Sequence, residues 1–196
     1  MGWGGVMRLG YTIFDTALGR CGIAWSDAGI TGVQLPEARE IETRRHLFRQ
    51  FPEAREQRPC ANTELAIEGI VATLRGRDVD FSDVVLDLEG VTPFNQRVYD
   101  CVRGIPRGET RSAEDIADEL HVPEALHEIA QALTNNAFVL IVPCHRVRDI
   151  GGGLDKPSPN SGIISKRRLL SLEGARPHAG LTLFDALLAA DRPRAS

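Results

Sequence analysis

The fold and its chemistry depend most on the stretch Phe138-Val139-Leu140-Ile141-Val142-Pro143-Cys144-His145-Arg146-Val147. Its five consecutive apolar residues predict a buried strand, and that strand delivers a thiol and an imidazole side by side. Because the thiolate is the nucleophilic form of cysteine, a reactive cysteine needs a base or a positive dipole beside it. His145 is the candidate base for Cys144. On these residues alone, the alternative that Cys144 is a small buried apolar residue stays open.

The composition is that of a globular protein with one domain or two small ones. The chain has 196 residues, a formal net charge of -4 and a sequence pI near 5.8. Without a basic excess, any nucleic-acid binding must come from a local patch. Cys21, Cys60, Cys101 and Cys144 are scattered without a C-x-x-C pair, which argues against a disulfide framework or a zinc cluster. We therefore expect reduced thiols in a reducing compartment.

Targeting and membrane-spanning signals would limit where the protein can act. Residues 1–10 lack the long apolar core of a signal peptide, and no apolar run reaches membrane-spanning length. We expect a cytoplasmic protein that does not bind membranes. Low complexity is confined to a Gly/Pro/Ser-rich loop over residues 151–162.

The first half of the chain predicts a small sheet with two helices. Residues 9–35 alternate short apolar stretches with turn signals, which indicates an antiparallel meander. Apolar spacing predicts helices over residues 41–51 and 65–74, the second ending near Gly76. Residues 84–88 read as one more strand.

The second half predicts helices separated by proline and glycine. Pro93 starts a helix that runs to Val102, and Ser112 with Asp115 has the spacing of a capping box. A further helix starts at Pro123, so the pair has a helix-turn-helix outline, although an ordinary helical hairpin fits as well. A last helix covers residues 166–172.

The chain resembles the O6-alkylguanine-DNA alkyltransferases. The residues that carry the resemblance lie in family order over some eighty positions: Thr92-Pro93-Phe94, Val98-Tyr99, Ile105-Pro106, Gly108-Glu109-Thr110, Ser112, Ile116-Ala117, Asn136, Pro143 to Val147, Lys166, Leu169-Leu170 and Glu173-Gly174. The resemblance implies an α/β (α+β) fold, with a ribonuclease-H-like N-terminal domain over residues 1–90. A winged-helix-like catalytic domain over residues 91–175 and a tail over 176–196 would follow.

The resemblance also implies an irreversible reaction. Cys144 would attack the alkyl carbon of a flipped-out O6-alkylguanine and keep the alkyl group. His145 would act as the base through a water, Glu173 would orient the imidazole, and Asn136 would tie the helix pair to the active-site loop. No metal or organic cofactor is needed, and transfer is stoichiometric because a thioether has no hydrolytic exit.

The substrate loop departs from the family pattern. By resemblance, the substrate-binding residues are Pro143, Val147, Asn160 and Ser161. Family members have an aromatic residue before a serine in this loop, and here Pro159 stands near the aromatic slot, with Asn160 or Ser161 near the donor. We expect a pocket of different shape.

The DNA-handling residues depart as well. By resemblance, DNA contacts fall on Ser112, Ala113, His127 and Arg146, but Ala113 stands where the family has tyrosine and His127 where it has an intercalating arginine. Residues 112–136 contain no lysine or arginine, and they carry six acids: Glu114, Asp115, Asp118, Glu119, Glu124 and Glu128. Such a helix pair would repel a phosphate backbone, unless the acids only favour helix N-termini.

Three hypotheses remain. The first is alkyl transfer from O6-alkylguanine in DNA, by a monomer with weak or atypical duplex engagement. The second keeps the cysteine chemistry but takes single-stranded nucleic acid, a free nucleotide or a small alkylated molecule. The third is a non-catalytic lesion-binding or protein-interaction module, with the acidic helix pair facing a protein partner.

Overall fold

The computed structural model describes residues 9–148 and 159–175, and they form a mixed α+β fold. A four-stranded sheet occupies the first half, in the order β3-β2-β1-β4, with strands β1 (Gly10–Thr16), β2 (Gly19–Trp25), β3 (Ile30–Gln34) and β4 (Arg55–Glu56). The first three strands are antiparallel neighbours, as the meander prediction requires. The short β4 adds to the free edge of β1 in parallel.

Two helices cover opposite faces of this sheet. Helix α1 (Glu40–Gln50) places Leu47 in a small cluster with Ala24 of β2, whereas α2 (Ala61–Leu74) places Ile70 in the main core with Ile23. Ala24 and Ile23 are neighbours in one strand, so their side chains point to opposite faces. Both predicted helices are confirmed.

The second half is built mostly from helices. Its elements are α3 (Pro93–Arg103), β5 (Arg111–Ser112), α4 (Ala113–Glu119), α5 (Leu126–Thr134), β6 (Val147–Arg148) and α6 (Lys166–Leu172), and β5 pairs with β6 in parallel. The capping box is formed as predicted, since the Ser112 hydroxyl accepts from the Asp115 N–H and the Asp115 carboxylate accepts from the Ser112 N–H. Helix α5 begins at Leu126 rather than at Pro123, because a turn closed by the Ala125 N–H and the Val122 carbonyl precedes it.

The prediction of a strand over residues 138–142 is wrong. The segment is a buried turn in which the Val142 N–H donates to the Phe138 carbonyl and Leu140 adopts a φ of 74°. Its regular pairing is limited to isolated bridges from Phe138 to Val33 and between Val139 and Val142. An apolar run reports burial, and burial does not distinguish a strand from a turn packed inside the core.

The strand predicted over residues 84–88 is also wrong in detail. Leu86 makes a single parallel bridge to Ile30, flanked by hydrogen bonds from the Ile30 N–H to the Val85 carbonyl and from the Asp87 N–H to the Ile30 carbonyl. The segment therefore lies along the edge of β3 without extending the sheet.

One apolar core spans both halves. It joins Val33 of β3 and the following Leu35 to Val98 and Val102 of α3 and to all five residues of the 138–142 turn. The active-site turn is therefore packed against strands of the first half. The predicted domain boundary at residues 90 and 91 stays a prediction, and the 176–196 tail and most of the Gly-rich loop lie outside the described residues.

Among the described helices, none combines the length and the apolar character needed to cross a membrane.

Candidate active site

Cys144 begins a single 3₁₀ turn, Cys144–Arg146, that follows the buried 138–142 segment. The Cys144 N–H donates to the Val142 carbonyl at 2.8 Å, and the Arg146 N–H donates to the Pro143 carbonyl at 2.9 Å. Both reactive-looking side chains are enclosed, Cys144 with 4% of its surface exposed and His145 with 2%. The turn therefore fixes the thiol and the imidazole in a site screened from bulk water.

The side chain of Asn136 binds the backbone of the buried segment that precedes this turn. Its side-chain Nδ2 donates to the Val142 carbonyl at 2.9 Å, and its Oδ1 accepts from the Phe138 N–H at 2.9 Å. The residue is fully buried just after α5. Its amide thus supplies a donor and an acceptor to backbone groups that a buried turn would otherwise leave unpaired.

Glu173 reaches His145 from the C-terminal end of α6. The Oε1 atom of Glu173 lies 2.8 Å from the Nε2 atom of His145. Both side chains are buried, so the contact is shielded from water and salt.

Arg146 forms an ion pair with the same carboxylate. Its Nε lies 3.0 Å from Oε2 of Glu173 and its Nη2 lies 2.8 Å from Oε1, while Nη1 donates to the Ile105 carbonyl at 2.7 Å. Burial alone would raise the pKa of Glu173, but the hydrogen bonds from His145 and Arg146 outweigh it and lower that pKa to about 2. Glu173 is therefore a carboxylate at neutral pH.

The charge on Glu173 decides which nitrogen of His145 carries the proton. Burial lowers the pKa of His145, against the opposing attraction of Glu173, so its imidazole is neutral at pH 7. An ionised carboxylate only accepts hydrogen bonds, so the single imidazole proton sits on Nε2 and points at Glu173. The Nδ1 atom is left with a free lone pair, as a base requires.

A small cavity adjoins both Cys144 and His145. It is lined by Cys144 and His145 together with Leu35, Val139, Leu140, Ser161, Lys166 and Leu169, and its volume is about 10 Å³. That volume accommodates about one water molecule. The Nδ1 atom of His145 has no hydrogen-bond partner within the described residues.

A neutral His145 gives a testable pH profile. Since burial holds its pKa below the ordinary 6.5, we expect the rate of alkyl transfer to be constant from pH 8 down to pH 6.5 and to fall only at lower pH, as the imidazole becomes protonated. Single-turnover transfer rates measured at fixed ionic strength check this. A rate that grows almost tenfold per pH unit below about pH 8.5 would indicate an unassisted thiol instead.

The other three cysteines have different surroundings. Burial raises the pKa of Cys21 to about 12 and that of Cys101 to about 11, so both are inert thiols. Cys60 is exposed at the start of α2, and although its partial burial opposes this, hydrogen bonds from Thr63 and nearby backbone lower its pKa. Of the four cysteines, all of which lie in the described part of the chain, only Cys144 is next to a histidine that contacts a carboxylate.

The comparisons with known proteins agree with this geometry. The family described as "6-O-methylguanine DNA methyltransferase, DNA binding domain" matches residues 93–175. The methylated-DNA–protein-cysteine methyltransferase of Mycobacterium tuberculosis is 44% identical over 120 residues, which are 61% of this chain and 70% of the relative. The chain belongs to the methylated-DNA–protein-cysteine methyltransferase family.

Solved structures of the family extend the likeness to the whole fold. The crystal structure of M. tuberculosis O6-methylguanine methyltransferase has a TM-score of 0.67 at 33% identity, and the match covers 91% of this chain and all of the other. The M. tuberculosis protein in complex with DNA has a TM-score of 0.65 at 32% identity, covering 84% of this chain and 92% of the other.

Within the family site, the four predicted substrate-binding residues lie apart. Ser161 lines the cavity beside Cys144, and Asn160 is its buried neighbour. Val147 is buried in β6, so its side chain packs in the core, and Pro143 lines a different, larger cavity of about 760 Å³ beside Arg146. The substrate-binding roles of all four residues stay predictions.

The DNA-binding roles of Ser112, Ala113, His127 and Arg146 stay predictions, and the structure shows the surroundings of each residue. Ala113, the first residue of α4, is only 2% exposed and packs in the main core, and the Ser112 hydroxyl is used in the helix cap. Arg146 is bound to Glu173 and to the Ile105 carbonyl. Of the four, His127 on α5 is the exposed one.

The structure gives two residues contacts that the sequence does not predict: Arg146, expected to bind DNA, and Lys166, named only as a family motif residue. Arg146 clamps Glu173, and Lys166 is buried with its Nζ 3.4 Å from the Val147 carbonyl, where its charge helps to lower the pKa of His145. Both stand in family motifs, but nothing in the sequence pairs Arg146 with a carboxylate 27 positions away. Within the described residues, no cluster of three or more His, Cys, Asp or Glu side chains could hold a metal ion.

Proposed function

We propose that this protein repairs O6-alkylguanine in DNA by transferring the alkyl group irreversibly to Cys144. The observation that carries the proposal is the buried series Cys144, His145 and Glu173, in which His145 and Glu173 are joined at 2.8 Å. Its relatives are named methylated-DNA–protein-cysteine methyltransferases, and one of them is solved with DNA.

The chemistry follows from the proton positions. The thiol proton of Cys144 passes to Nδ1 of His145 through a water in the 10 Å³ cavity. The thiolate attacks the alkyl carbon in line, the bond from that carbon to O6 breaks, and its electron pair stays on the guanine oxygen. Glu173 stabilises the imidazolium that forms, and the imidazolium returns a proton to the leaving guanine. Cys144 ends as a thioether, so each molecule acts once.

The family resemblance supports the finer description of the fold. We assign a ribonuclease-H-like domain to residues 1–90 and a winged-helix-like catalytic domain to residues 91–175, with α4 and α5 as its helix pair. We also propose that the protein is a monomer. We place it in the cytoplasm because its four scattered cysteines suit a reducing compartment.

The surface of the helix pair supports weak or atypical engagement of duplex DNA. The six acids of α4, α5 and their connection are all exposed, and Arg111 forms an ion pair with Glu119. A surface of this sign gains no affinity from counterion release. The imidazole of His127 lacks the planar guanidinium with which an arginine binds phosphates.

Replacing His127 with arginine should strengthen duplex binding. One added phosphate contact makes the slope of log K against log salt steeper by about 1 unit. Fluorescence anisotropy with a methylated duplex at several salt concentrations measures that slope. The control is Glu68→Gln, which adds the same charge at an exposed position of α2. An equal gain in both variants would mean that only net charge matters, and that α5 does not face DNA.

The acidic helix pair also supports two alternatives. Single-stranded nucleic acid or a free alkylated base needs no groove-facing helix, so the cysteine chemistry would remain with a different substrate. A protein partner with a basic surface would complement the exposed acids of α4 and α5, in a module that binds lesions without transfer.

One comparison of substrates distinguishes these functions. The protein is incubated with methylated duplex, methylated single strand or free O6-methylguanine, and its intact mass is recorded over time. We expect one methyl group per molecule from the duplex, with a rate that falls as salt rises. Faster transfer from the single strand or the free base would favour the second function, and binding without any transfer would favour the third.

A further inference from the structure

We propose that Gln50, at the end of α1, is a positioning residue that couples the N-terminal sheet domain to the substrate loop through Asn160, and thereby controls which alkyl groups reach Cys144. The inference rests on the proposed function and adds to it a determinant of alkyl-group selectivity. Neither the family match over residues 93–175 nor the motif residues of the C-terminal half include Gln50.

The contacts form a continuous path of hydrogen bonds. The Gln50 Nε2 donates to Oδ1 of Asn160, across 110 positions of sequence. The Asn160 Nδ2 donates to the Asn136 carbonyl at 3.0 Å. The Asn136 side chain in turn donates to the Val142 carbonyl, two residues before Cys144. Gln50 is thus linked through two buried asparagines to the turn that carries the thiol.

The same loop is also attached by its backbone to the two residues that follow β3. The Leu35 N–H donates to the Asn160 carbonyl at 2.9 Å, and the Ile163 N–H donates to the Pro36 carbonyl at 3.0 Å. Gly162 between them has a φ of 55°, and a Cβ there would lie 2.2 Å from the Pro36 oxygen. The loop therefore sits against the first half of the chain at a fixed, close distance, and the side chain of Gln50 adds a link that mutation can remove without disturbing the backbone.

The position of Asn160 makes this link relevant to the substrate. Asn160 directly precedes Ser161, which lines the cavity beside Cys144. Its side chain is buried and shared between Gln50 and Asn136, so it fixes the loop from within. A shift of this loop changes the distance between Ser161 and the thiol, and so the space for the alkyl group.

Gln50→Glu tests the coupling with little change in shape. The substitution replaces the donor with a carboxylate opposite Oδ1 of Asn160, and an amide flip that relieved the repulsion would withdraw Nδ2 from the Asn136 carbonyl. The control for charge is Arg49→Gln, an equal change at the adjacent exposed position of α1. Gln50→Lys keeps an N–H donor of similar reach and should restore wild-type behaviour.

Two readouts are measured on the full chain. The first is the ratio of transfer rates from O6-methylguanine and O6-benzylguanine oligonucleotides, which we expect to change about fivefold in Gln50→Glu, the effect of one neutral hydrogen bond. The second is hydrogen exchange at the amides of residues 160–164, which we expect to be faster in Gln50→Glu. A side chain that served only global stability would lower both transfer rates equally and leave their ratio unchanged.

The outcomes separate this inference from the proposed function. If the wild-type protein transfers alkyl groups and Gln50→Glu matches Arg49→Gln in rate ratio and in hydrogen exchange, the coupling is wrong. If the wild-type protein transfers nothing, the proposed function is wrong, and the exchange at residues 160–164 still decides whether Gln50 holds the loop.

Discussion

Replacing Cys144 with serine should abolish alkyl transfer, whereas replacing Cys60 with serine should leave it at the wild-type rate. In enzymes whose nucleophile works with a histidine and a carboxylate, removal of the nucleophile lowers the rate on the order of a millionfold. A decrease of that size is beyond the range of the assay. Serine is close to cysteine in size, so the buried site keeps its packing. Transfer is measured by the gain of a methyl group in intact mass after incubation with methylated duplex.

Cys60 is the matched control because its exposed thiol, with a lowered pKa, is the other candidate for modification. Serine is also a favourable residue at the start of a helix, so Cys60→Ser should not weaken α2. Transfer that survives in Cys144→Ser and disappears in Cys60→Ser would show that the wrong cysteine has been assigned.

Replacing Glu173 with glutamine should have two large effects. Removal of the charge leaves the partly buried guanidinium of Arg146 without its partner, which costs about 3–5 kcal/mol of folding stability. The glutamine amide can also donate to Nε2 of His145, which moves the imidazole proton to Nδ1, where the base lone pair is needed. We therefore expect a decrease in transfer of roughly 10²- to 10⁴-fold.

The stability effect should depend on pH with a definite sign. The pKa of Glu173 is lowered to about 2 in the folded state, from an ordinary 4.5. Its contribution is therefore complete above pH 4.5 and is lost as the pH falls toward 2. Urea unfolding from pH 7 to pH 3 measures the difference in folding stability between the wild type and Glu173→Gln. The control is Glu68→Gln, at an exposed position of α2. A difference that does not shrink below pH 4.5 would contradict the role of the carboxylate charge.

Much of the local structure could be predicted from sequence, because its causes are local. The alternating strands over residues 9–35 and the capping box of Ser112 and Asp115 depend on neighbours within a few positions. The strand prediction for residues 138–142 fails because the shape of this segment is set by Asn136, whose side-chain hydrogen bonds replace those of a strand. Its apolar character reported only that it is buried.

The candidate site also combines contacts that are local in sequence with contacts that are not. Cys144 and His145 are adjacent, so the sequence alone predicts their pairing, whereas the roles of Glu173 and Asn136 follow only from the family resemblance. The links from Arg146 to Glu173 and from Gln50 to Asn160 join residues 27 and 110 positions apart. No spacing rule reports contacts of that range, because they exist only once the chain has folded.

The most direct test of the central claim is to locate the transferred group. The protein is incubated with an excess of duplex that contains O6-methylguanine, digested, and analysed by peptide mass spectrometry. We expect one methyl group per molecule, on Cys144, with no further gain at longer times. Methylation on Cys60 or any other residue, or repair of the duplex with no methyl group on the protein, would contradict it.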